Sequence, residues 1–346
     1  MTMQIFDGHN DVLLRLWLKK DGDPVQDFFD GDGMGHVDLP RMVKGGMAGG
    51  FFAIFVPPRE GPPDKDDLNP PLAPEMPQNA SLPVALQMVA LLLRLEAASA
   101  GRLKIVKSAA EIRGCLAKGV IAAIMHIEGA ECIDRELVAL EVLHAAGLKS
   151  IGPVWSRSNV FGHGVPFRFP SGPDTGPGLT DAGKDLVKAG NRLGMVLDLS
   201  HMNEKGFWDV AEISAAPLVA THSNANVLTA SSRNLTDRQL KAIGETGGMV
   251  GLNFANAFLR ADGRWPSPNG FDEMLRHLDH MISVAGEDHV GFGSDFDGCR
   301  LPASIGDAAG LPNLLTAMGN HGFGETLIRK LAHENWIRVL ERTWGG

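Results

Sequence analysis

A regular alternation along the chain constrains the fold most strongly. Short apolar runs rich in Val, Ile and Phe recur, and each is followed by a longer segment with the spacing of an amphipathic helix. Eight runs have the length of buried strands: Met3–Phe6, Phe51–Val56, Ile121–Ile127, Ser150–Trp155, Met195–Leu199, Leu218–Thr221, Met249–Phe254 and His289–Gly293. The spacing between them predicts helices near Leu39–Lys44, Leu82–Ala100, Arg135–Ala146, Thr180–Leu193, Asn203–Ile213, Thr236–Glu245, Phe271–Ala285 and Glu325–Arg342. Eight alternating units predict an α/β fold, a closed (β/α)8 TIM barrel.

Two segments interrupt this alternation and predict loop insertions. Pro57–Pro83 contains nine prolines and follows strand two, and the Gly- and Pro-rich segment Ser156–Gly178 follows strand four. Each could shape a substrate pocket or simply cover one end of the barrel. We expect residues 1–346 to form a single barrel domain.

Composition narrows the function classes. A hydrophobic content of 44% with 21% charged residues is typical of a globular protein, and a formal charge of −9 argues against a nucleic-acid partner. The first residues lack the pattern of a secretory signal, and no run of about 18 apolar residues predicts a membrane span. The cysteines Cys115, Cys132 and Cys299 are odd in number and scattered, which favours a reducing compartment. We expect a cytoplasmic protein with no membrane association.

Potential metal ligands follow the predicted strands. His9 and Asp11 follow strand one with a spacing of two, so an extended backbone points both side chains the same way. The others are Glu128 after strand three, His201 after strand five, His222 after strand six and Asp295 after strand eight. The carboxyl ends of parallel barrel strands converge on one rim, where active sites of this fold are built.

Three imidazoles and two carboxylates form a ligand set suited to zinc, with manganese, iron and cobalt as the alternatives. Five ligands suit two ions better than one. We assign His9 and Asp11 to the first ion and His201 and His222 to the second. Glu128 is the predicted bridge, because a carboxylate has two oxygens that can each bind one metal.

The ordered motifs DGHND, HIEGAE, LDLSH, THSN, SSRN and GSDFDG resemble the membrane dipeptidase (renal dipeptidase) family, which is related to the amidohydrolase barrels. The resemblance runs from Asp7 to about Leu340. It implies two Zn2+ ions per chain, the same five ligands, and Glu128 in place of the modified lysine that some amidohydrolases use as the bridge.

Two further residues enter through the resemblance. Arg233, in SSRN, matches the family arginine that holds the terminal carboxylate of the substrate, and a guanidinium can grip a carboxylate with two hydrogen bonds. Asp295 matches the family aspartate near the substrate's amino group, where it can bind the ammonium or transfer a proton. Asp295 and Glu128 are therefore the predicted catalytic residues.

One motif departs from the family. The renal enzymes have a histidine after strand four that steadies the tetrahedral oxyanion, and this chain has Trp155 there. Trp155 can donate one hydrogen bond but cannot become cationic, and His163, eight residues on, is an alternative. The chain has no tyrosine, so any family contact made by a tyrosine hydroxyl is lost or replaced.

The resemblance implies hydrolysis of the peptide bond of dipeptides by a hydroxide shared between the two ions, with tolerance of a D-configured second residue. A homodimer is also expected by resemblance. Two alternatives stay open: a related metal-dependent hydrolase acting on another amide or ester, and a non-catalytic metal-binding protein on the same fold.

Overall fold

The computed structural model describes residues 3–59, 67–265 and 270–345, and its centre is a ring of parallel strands. The eight strands are β1 (Ile5–Asn10), β2 (Met47–Phe55), β3 (Ile121–Glu128), β4 (Leu148–Gly152), β5 (Val196–Leu197), β6 (Val219–Ala220), β7 (Met249–Asn253) and β8 (Val290–Gly293). Hydrogen bonds join them in the order β5-β4-β3-β2-β1-β8-β7-β6. A parallel bridge between Asp198 and Val219 then links the end of β5 to β6. The ring is closed, which confirms the predicted TIM barrel.

Helices surround the ring. They are α1 (Val12–Leu18), α2 (Pro24–Asp30), α3 (Leu39–Gly45), α4 (Gln78–Ala98), α5 (Ala109–Lys118), α6 (Val138–Ala146), α7 (Asp181–Arg192), α8 (Glu204–Ile213), α9 (Asp237–Glu245), α10 (Asn256–Leu259), α11 (Asp272–Ala285), α12 (Leu311–His321), α13 (Glu325–Arg329) and α14 (Asn335–Trp344). A π-helical turn, Lys330–Glu334, divides the predicted closing helix into α13 and α14. Short 3-10 turns occupy Ala130–Cys132 and Ala308–Gly310.

The predicted strand positions are confirmed, but several bounds differ. β1 extends to Asn10, so His9 lies within the strand, and β4 ends at Gly152, so Trp155 lies in the loop beyond it. The sequence pattern did not predict α1, α2, α5 or α12, nor the strand Leu103–Ile105 that pairs beside β3. The polar residues that end β1 lack the apolar pattern of a buried strand. They are buried because the barrel closes around them.

Two helix starts follow the sequence signals. Thr180 and Thr236 each accept a hydrogen bond from the backbone N–H three residues on, and Thr236 forms a full capping box with Gln239. These bonds satisfy N–H groups that have no partner within the helix, so they fix where α7 and α9 begin.

Helix α4 differs from the sequence prediction at its start. It begins at Gln78 and contains Pro83, so the proline-rich loop is shorter than predicted. It is also the one described helix that is long and apolar enough to cross a membrane by length and composition, with a mean hydropathy of 1.5 and 39% of that window buried. The core helix of a soluble protein passes the same test, and the buried residues Ala85, Met88 and Leu92 of α4 pack in the main hydrophobic core.

A stack of side chains fills the barrel interior. Trp336 of α14 closes the amino end of the barrel, its ring lies 5.2 Å from that of Phe51, and its indole N–H donates to the carbonyl of Phe292. Phe51 lies 5.9 Å from the ring of His126. Ile124, His126 and Glu128 occupy every second position of β3 and so lie on one face of the strand, with Glu128 at the opposite, carboxyl end. The described side chains thus close the amino end of the barrel, and Glu128 lies at the other end.

Candidate metal centre and active site

The five predicted metal ligands meet at the carboxyl end of the barrel. His9 lies in β1, Glu128 ends β3, and His201 and His222 follow β5 and β6. Glu128 Oε1 lies 2.9 Å from His201 Nε2, 3.3 Å from His222 Nε2 and 3.6 Å from His9 Nε2. Asp11 Oδ2 is 3.3 Å from His9 Nε2. One carboxylate oxygen thus faces three imidazoles that come from three different strands.

This arrangement fits a bound cation. Neither ring nitrogen of His9 has a hydrogen-bond partner among the described residues, nor does Asp11 Oδ1, although all three atoms are buried. His201 Nε2 and His222 Nε2 lie only 3.2 Å apart. Buried polar atoms are rarely left unpaired in this way, and nitrogen and carboxylate oxygen are the donors that zinc binds.

Hydroxyl groups behind the imidazoles fix the direction of their lone pairs. Thr221 Oγ1 donates to Asp198 Oδ2 at 2.6 Å, so at 2.8 Å from His222 Nδ1 it must accept the N–H of that ring. Nε2 of His222 is then deprotonated and faces Glu128. Ser156 Oγ lies 2.8 Å from His201 Nδ1 and can hold that ring in the same way.

Asp198 and His126 support the site from below. Asp198 accepts hydrogen bonds from the backbone and side chains of both Ser200 and Thr221, so it supports the ends of β5 and β6. His126 lies one layer deeper, with Nδ1 2.9 Å from Ser150 Oγ, and burial lowers its pKa. This layer therefore stabilises the neutral imidazole of His126 and the ionised carboxylate of Asp198.

Electrostatics of the metal-free cluster also favour a cation. Burial opposes charge on His9, but the carboxylates of Glu128 and Asp11 outweigh it and raise the His9 pKa to about 10. Burial raises the pKa of Glu128 well above its usual range. Burial, with the positive charge of Arg233 and His9, lowers the pKa of His201 and His222. A divalent ion would compensate the buried carboxylates without a bound proton.

Asp295 lies beside this cluster, just after β8. Its backbone has a positive φ of 58°, its N–H donates to the carbonyl of His9 at 3.0 Å, and its Oδ2 accepts from Asn253 Nδ2 at 2.9 Å. Burial raises its pKa to about 6, against the lowering effect of His9. Asp297, the second aspartate of GSDFDG, instead accepts hydrogen bonds from Arg15 and from the backbone N–H of His36, so it shapes the turn.

Arg233 is more constrained than its sequence motif suggested. It is 2% exposed, and Nη1 donates to the carbonyl of Ser200 and, at 3.0 Å, to Ser223 Oγ. Nη2 donates to the carbonyl of His222 at 2.9 Å, while Nε has no partner among the described residues. Three of the five N–H groups are therefore used, which leaves Nε–H and one N–H of Nη2 on the same edge of the guanidinium.

A cavity of about 500 Å³ opens onto this cluster. Described parts of both predicted loop insertions line it, including Pro57, Leu68, Phe167 and Phe169. Both loops thus shape the pocket rather than only covering the barrel end. Five carboxylates line it (Asp11, Asp67, Glu128, Asp295 and Asp297), as do six phenylalanine and tryptophan rings (Phe55, Trp155, Phe167, Phe169, Phe258 and Trp265).

The two oxyanion candidates are separated by the structure. Trp155 lines the cavity, with its ring 5.8 Å from that of His201. His163 lies in a small hairpin, Nδ1 is 2.8 Å from Ser158 Oγ, and it is not among the described residues that line the cavity. Arg233 lies next to Phe258, which lines the cavity, and is itself not among the described lining residues.

The chain matches known proteins over nearly its whole length. The membrane dipeptidase family (peptidase family M19) matches residues 1–344. A metallo peptidase from Rhodobacter sphaeroides, solved with a phosphinate mimic of the dipeptide L-Ala-D-Ala, is 55% identical, with a TM-score of 0.96 over 99% of this chain and 100% of that one. The solved dipeptidase AC, a family M19 metallo peptidase, is 57% identical, with a TM-score of 0.95 over 100% of both chains.

A more distant relative agrees with these two. The dipeptidase tcpJ of Claviceps purpurea is 29% identical over 339 residues, which cover 96% of this chain and 76% of that protein. The family match over residues 1–344 includes every segment that builds the cluster described above. We conclude that the chain belongs to the membrane dipeptidase family, peptidase family M19, and is a metal-dependent dipeptidase.

Proposed function

We propose that the protein is a binuclear zinc dipeptidase. His9 and Asp11 would hold the first ion, His201 and His222 the second, and Glu128 would bridge them. The observation that carries the proposal is the convergence of three imidazole nitrogens on Glu128 Oε1 within 3.6 Å, with Asp11 Oδ2 beside His9. When bound, such a pair of ions supplies an activated water and polarises the peptide carbonyl.

Asp295 manages the proton in this proposal. It lies against the cluster, it is 8% exposed, and Asn253 fixes one of its oxygens. A carboxyl group whose pKa is raised to about 6 can take a proton from water and deliver it to the leaving nitrogen near neutral pH. It can also accept hydrogen bonds from the ammonium group of the first residue.

Arg233 sets the length of the substrate. Its two remaining N–H groups can bind the carboxylate of the second residue side by side. A longer peptide would then place the wrong bond at the metal ligands, which gives dipeptidase rather than general peptidase activity. Similarity to the relative solved with an L-Ala-D-Ala mimic supports tolerance of a D-configured second residue.

Trp155 is the proposed oxyanion donor, because it lines the cavity beside His201 while His163 pairs with Ser158. We further propose that the enzyme is a cytoplasmic homodimer.

The test is an assay of the purified enzyme, with its metal content quantified, on L-L and L-D dipeptides, matching tripeptides and N-acetylated dipeptides. We expect about two zinc ions per chain and turnover of free dipeptides alone. Arg233→Met should abolish turnover, whereas the control Arg338→Met should not. Arg338 also donates to backbone carbonyls, Gly247 and Gly248, but just before β7, at the amino end of the barrel. Two bound metals without turnover of any dipeptide would contradict the proposal and favour another amide or ester as substrate.

A further inference from the structure

Four aromatic rings form a continuous wall along the cavity. The aromatic wall consists of Phe55, Trp155, Phe167 and Phe258, which all line the cavity. The ring centroids of Phe55 and Trp155 are 4.9 Å apart, and those of Trp155 and Phe167 are 5.5 Å apart. Phe167 and Phe258 are stacked, with centroids 6.0 Å apart and an interplanar angle of 14°. Phe55 ends β2, Trp155 and Phe167 lie in the loop after β4, and Phe258 lies in α10.

The wall contacts both groups that would hold a dipeptide. Its two middle rings, Trp155 and Phe167, lie 5.8 and 6.2 Å from the metal-ligand candidate His201. At the Phe258 end of the wall, the ring lies 5.8 Å from the guanidinium carbon of Arg233. A wall that spans these two points runs alongside whatever part of the substrate connects them.

In a dipeptide, only the second residue connects the scissile carbonyl to the terminal carboxylate. If the carbonyl lies at the metal ligands and the carboxylate at Arg233, the α-carbon of the second residue lies between them, next to the wall. The first residue extends to the other side, where the carboxylates Asp11 and Asp295 face the cavity. The wall therefore contacts the side chain of the second residue rather than that of the first.

The chemistry of the wall favours an uncharged partner. The guanidinium of Arg157 already lies 5.6 Å from the ring of Phe55 and 5.2 Å from that of Trp155. Arg233 lies 5.8 Å from the ring of Phe258. Aromatic faces attract cations, but three of the four rings, Phe55, Trp155 and Phe258, already have a guanidinium against them. Apolar surface and ring-to-ring contact are what the wall still offers a ligand.

We propose that the aromatic wall selects dipeptides whose second residue carries an aromatic or large aliphatic side chain. This inference rests on the proposed dipeptidase function and on carboxylate binding by Arg233. Side chains that differ by single methylene groups are discriminated roughly 10-fold or more in apolar pockets, so a phenyl group should exceed a methyl group by at least that factor. Lysine and arginine at the second position are disfavoured.

The experiment measures kcat/KM of the zinc-loaded enzyme for L-Ala-X, with X being Gly or the D and L forms of Ala, Leu, Phe and Lys. We expect the better Phe isomer to exceed its Ala counterpart by roughly 10-fold or more, and Lys to fall below Ala. In Phe167→Ala the Phe-to-Ala ratio should approach one. The control Phe323→Ala should leave the ratio unchanged, because Phe323 is partly buried outside the cavity.

A binding measurement guards against a poorly folded variant. Phosphinate mimics of L-Ala-D-Ala and L-Ala-D-Phe are titrated calorimetrically into wild type and Phe167→Leu, which keeps an apolar side chain of smaller contact area. The wild type should bind the D-Phe mimic more tightly by roughly 10-fold, and the variant should lose most of that preference. Turnover of the Ala and Phe dipeptides at equal efficiency, or a preference for Lys, would overturn the wall proposal and leave the dipeptidase function standing. No turnover of any dipeptide would overturn both.

Discussion

Lowering the pH should destabilise the folded protein through His277, a buried residue of α11. Its Nδ1 accepts the backbone N–H of Ala225 at 3.2 Å, and its Nε2 lies 3.1 Å from the carbonyl of Leu259 and 3.3 Å from Thr229 Oγ1. These contacts require a neutral ring with its proton on Nε2. A second proton on Nδ1 would face the N–H of Ala225. The contacts hold the loop that leads to Arg233, so the residue is structurally important.

The size of the effect follows from the pKa. Burial lowers the pKa of His277 from 6.5 to about 4. Between these values the unfolded chain binds a proton at residue 277 and the folded protein does not, so stability falls as the pH falls through this window. A shift of this size corresponds to about 3 kcal/mol, present above pH 6.5 and lost by pH 4.

Urea unfolding of metal-free wild type and His277→Gln, followed by circular dichroism between pH 7.5 and pH 4, measures this contribution. The variant has no titratable group at position 277, so the excess of the wild-type free energy of unfolding over that of the variant should shrink by about 3 kcal/mol across the range. His280→Gln is the matched control, because His280 lies on the same helix and pairs with Asp237 at the surface. A wild-type advantage that stays constant within about 0.5 kcal/mol would refute a buried neutral His277.

Further predictions concern the loop after β4 and the metal. Ser156→Ala frees the ring of His201 and should weaken zinc binding roughly 10- to 100-fold in a chelator competition, and unchanged affinity would mean that Ser156 does not orient the ligand. Glu131→Gln leaves the buried cation of Arg157, 2.8 Å away, without its counter-charge, and should lower the free energy of unfolding measured in urea by about 3–5 kcal/mol. Most of this loss should be recovered when Arg157→Met is added. Trp155→Phe keeps the ring but removes the indole N–H, and kcat for L-Ala-Gly should fall about 100-fold if that group steadies the oxyanion; a change below 2-fold would exclude this role. Removing the metal with a chelator should lower the thermal midpoint of unfolding, because the buried carboxylates of the ligands are then uncompensated, and adding zinc should restore the midpoint.

Much of the site was predictable because the ends of parallel strands follow a simple geometric rule. His9, Glu128, His201 and His222 each follow or end an apolar run, and the carboxyl ends of parallel strands must meet once the sheet closes. The two-residue spacing of a strand likewise accounts for the position of His126 beneath Glu128. Residue types with metal affinity at these positions were sufficient to predict the ligand cluster.

Other parts of the site could not be predicted in this way. The local sequence does not mark His277 as buried, yet it is 1% exposed, because α10 and the loop after β6 pack over it. The contact of Arg233 with the carbonyl of Ser200 and that of Ser156 with His201 join residues 33 and 45 positions apart. No local pattern signals such contacts.

The sequence by itself determined the order of strands and helices and the identity of the residues at the barrel rim, since both depend on short-range periodicity and on the direction of each strand. Only the tertiary structure decided which of these residues are oriented, paired or exposed to the cavity. The aromatic wall is the clearest case, because its rings come from separate segments and become neighbours only when the barrel has closed and the loops have packed over it. Distances between such segments are set by the packing of the whole chain, and spacing along the sequence does not contain them.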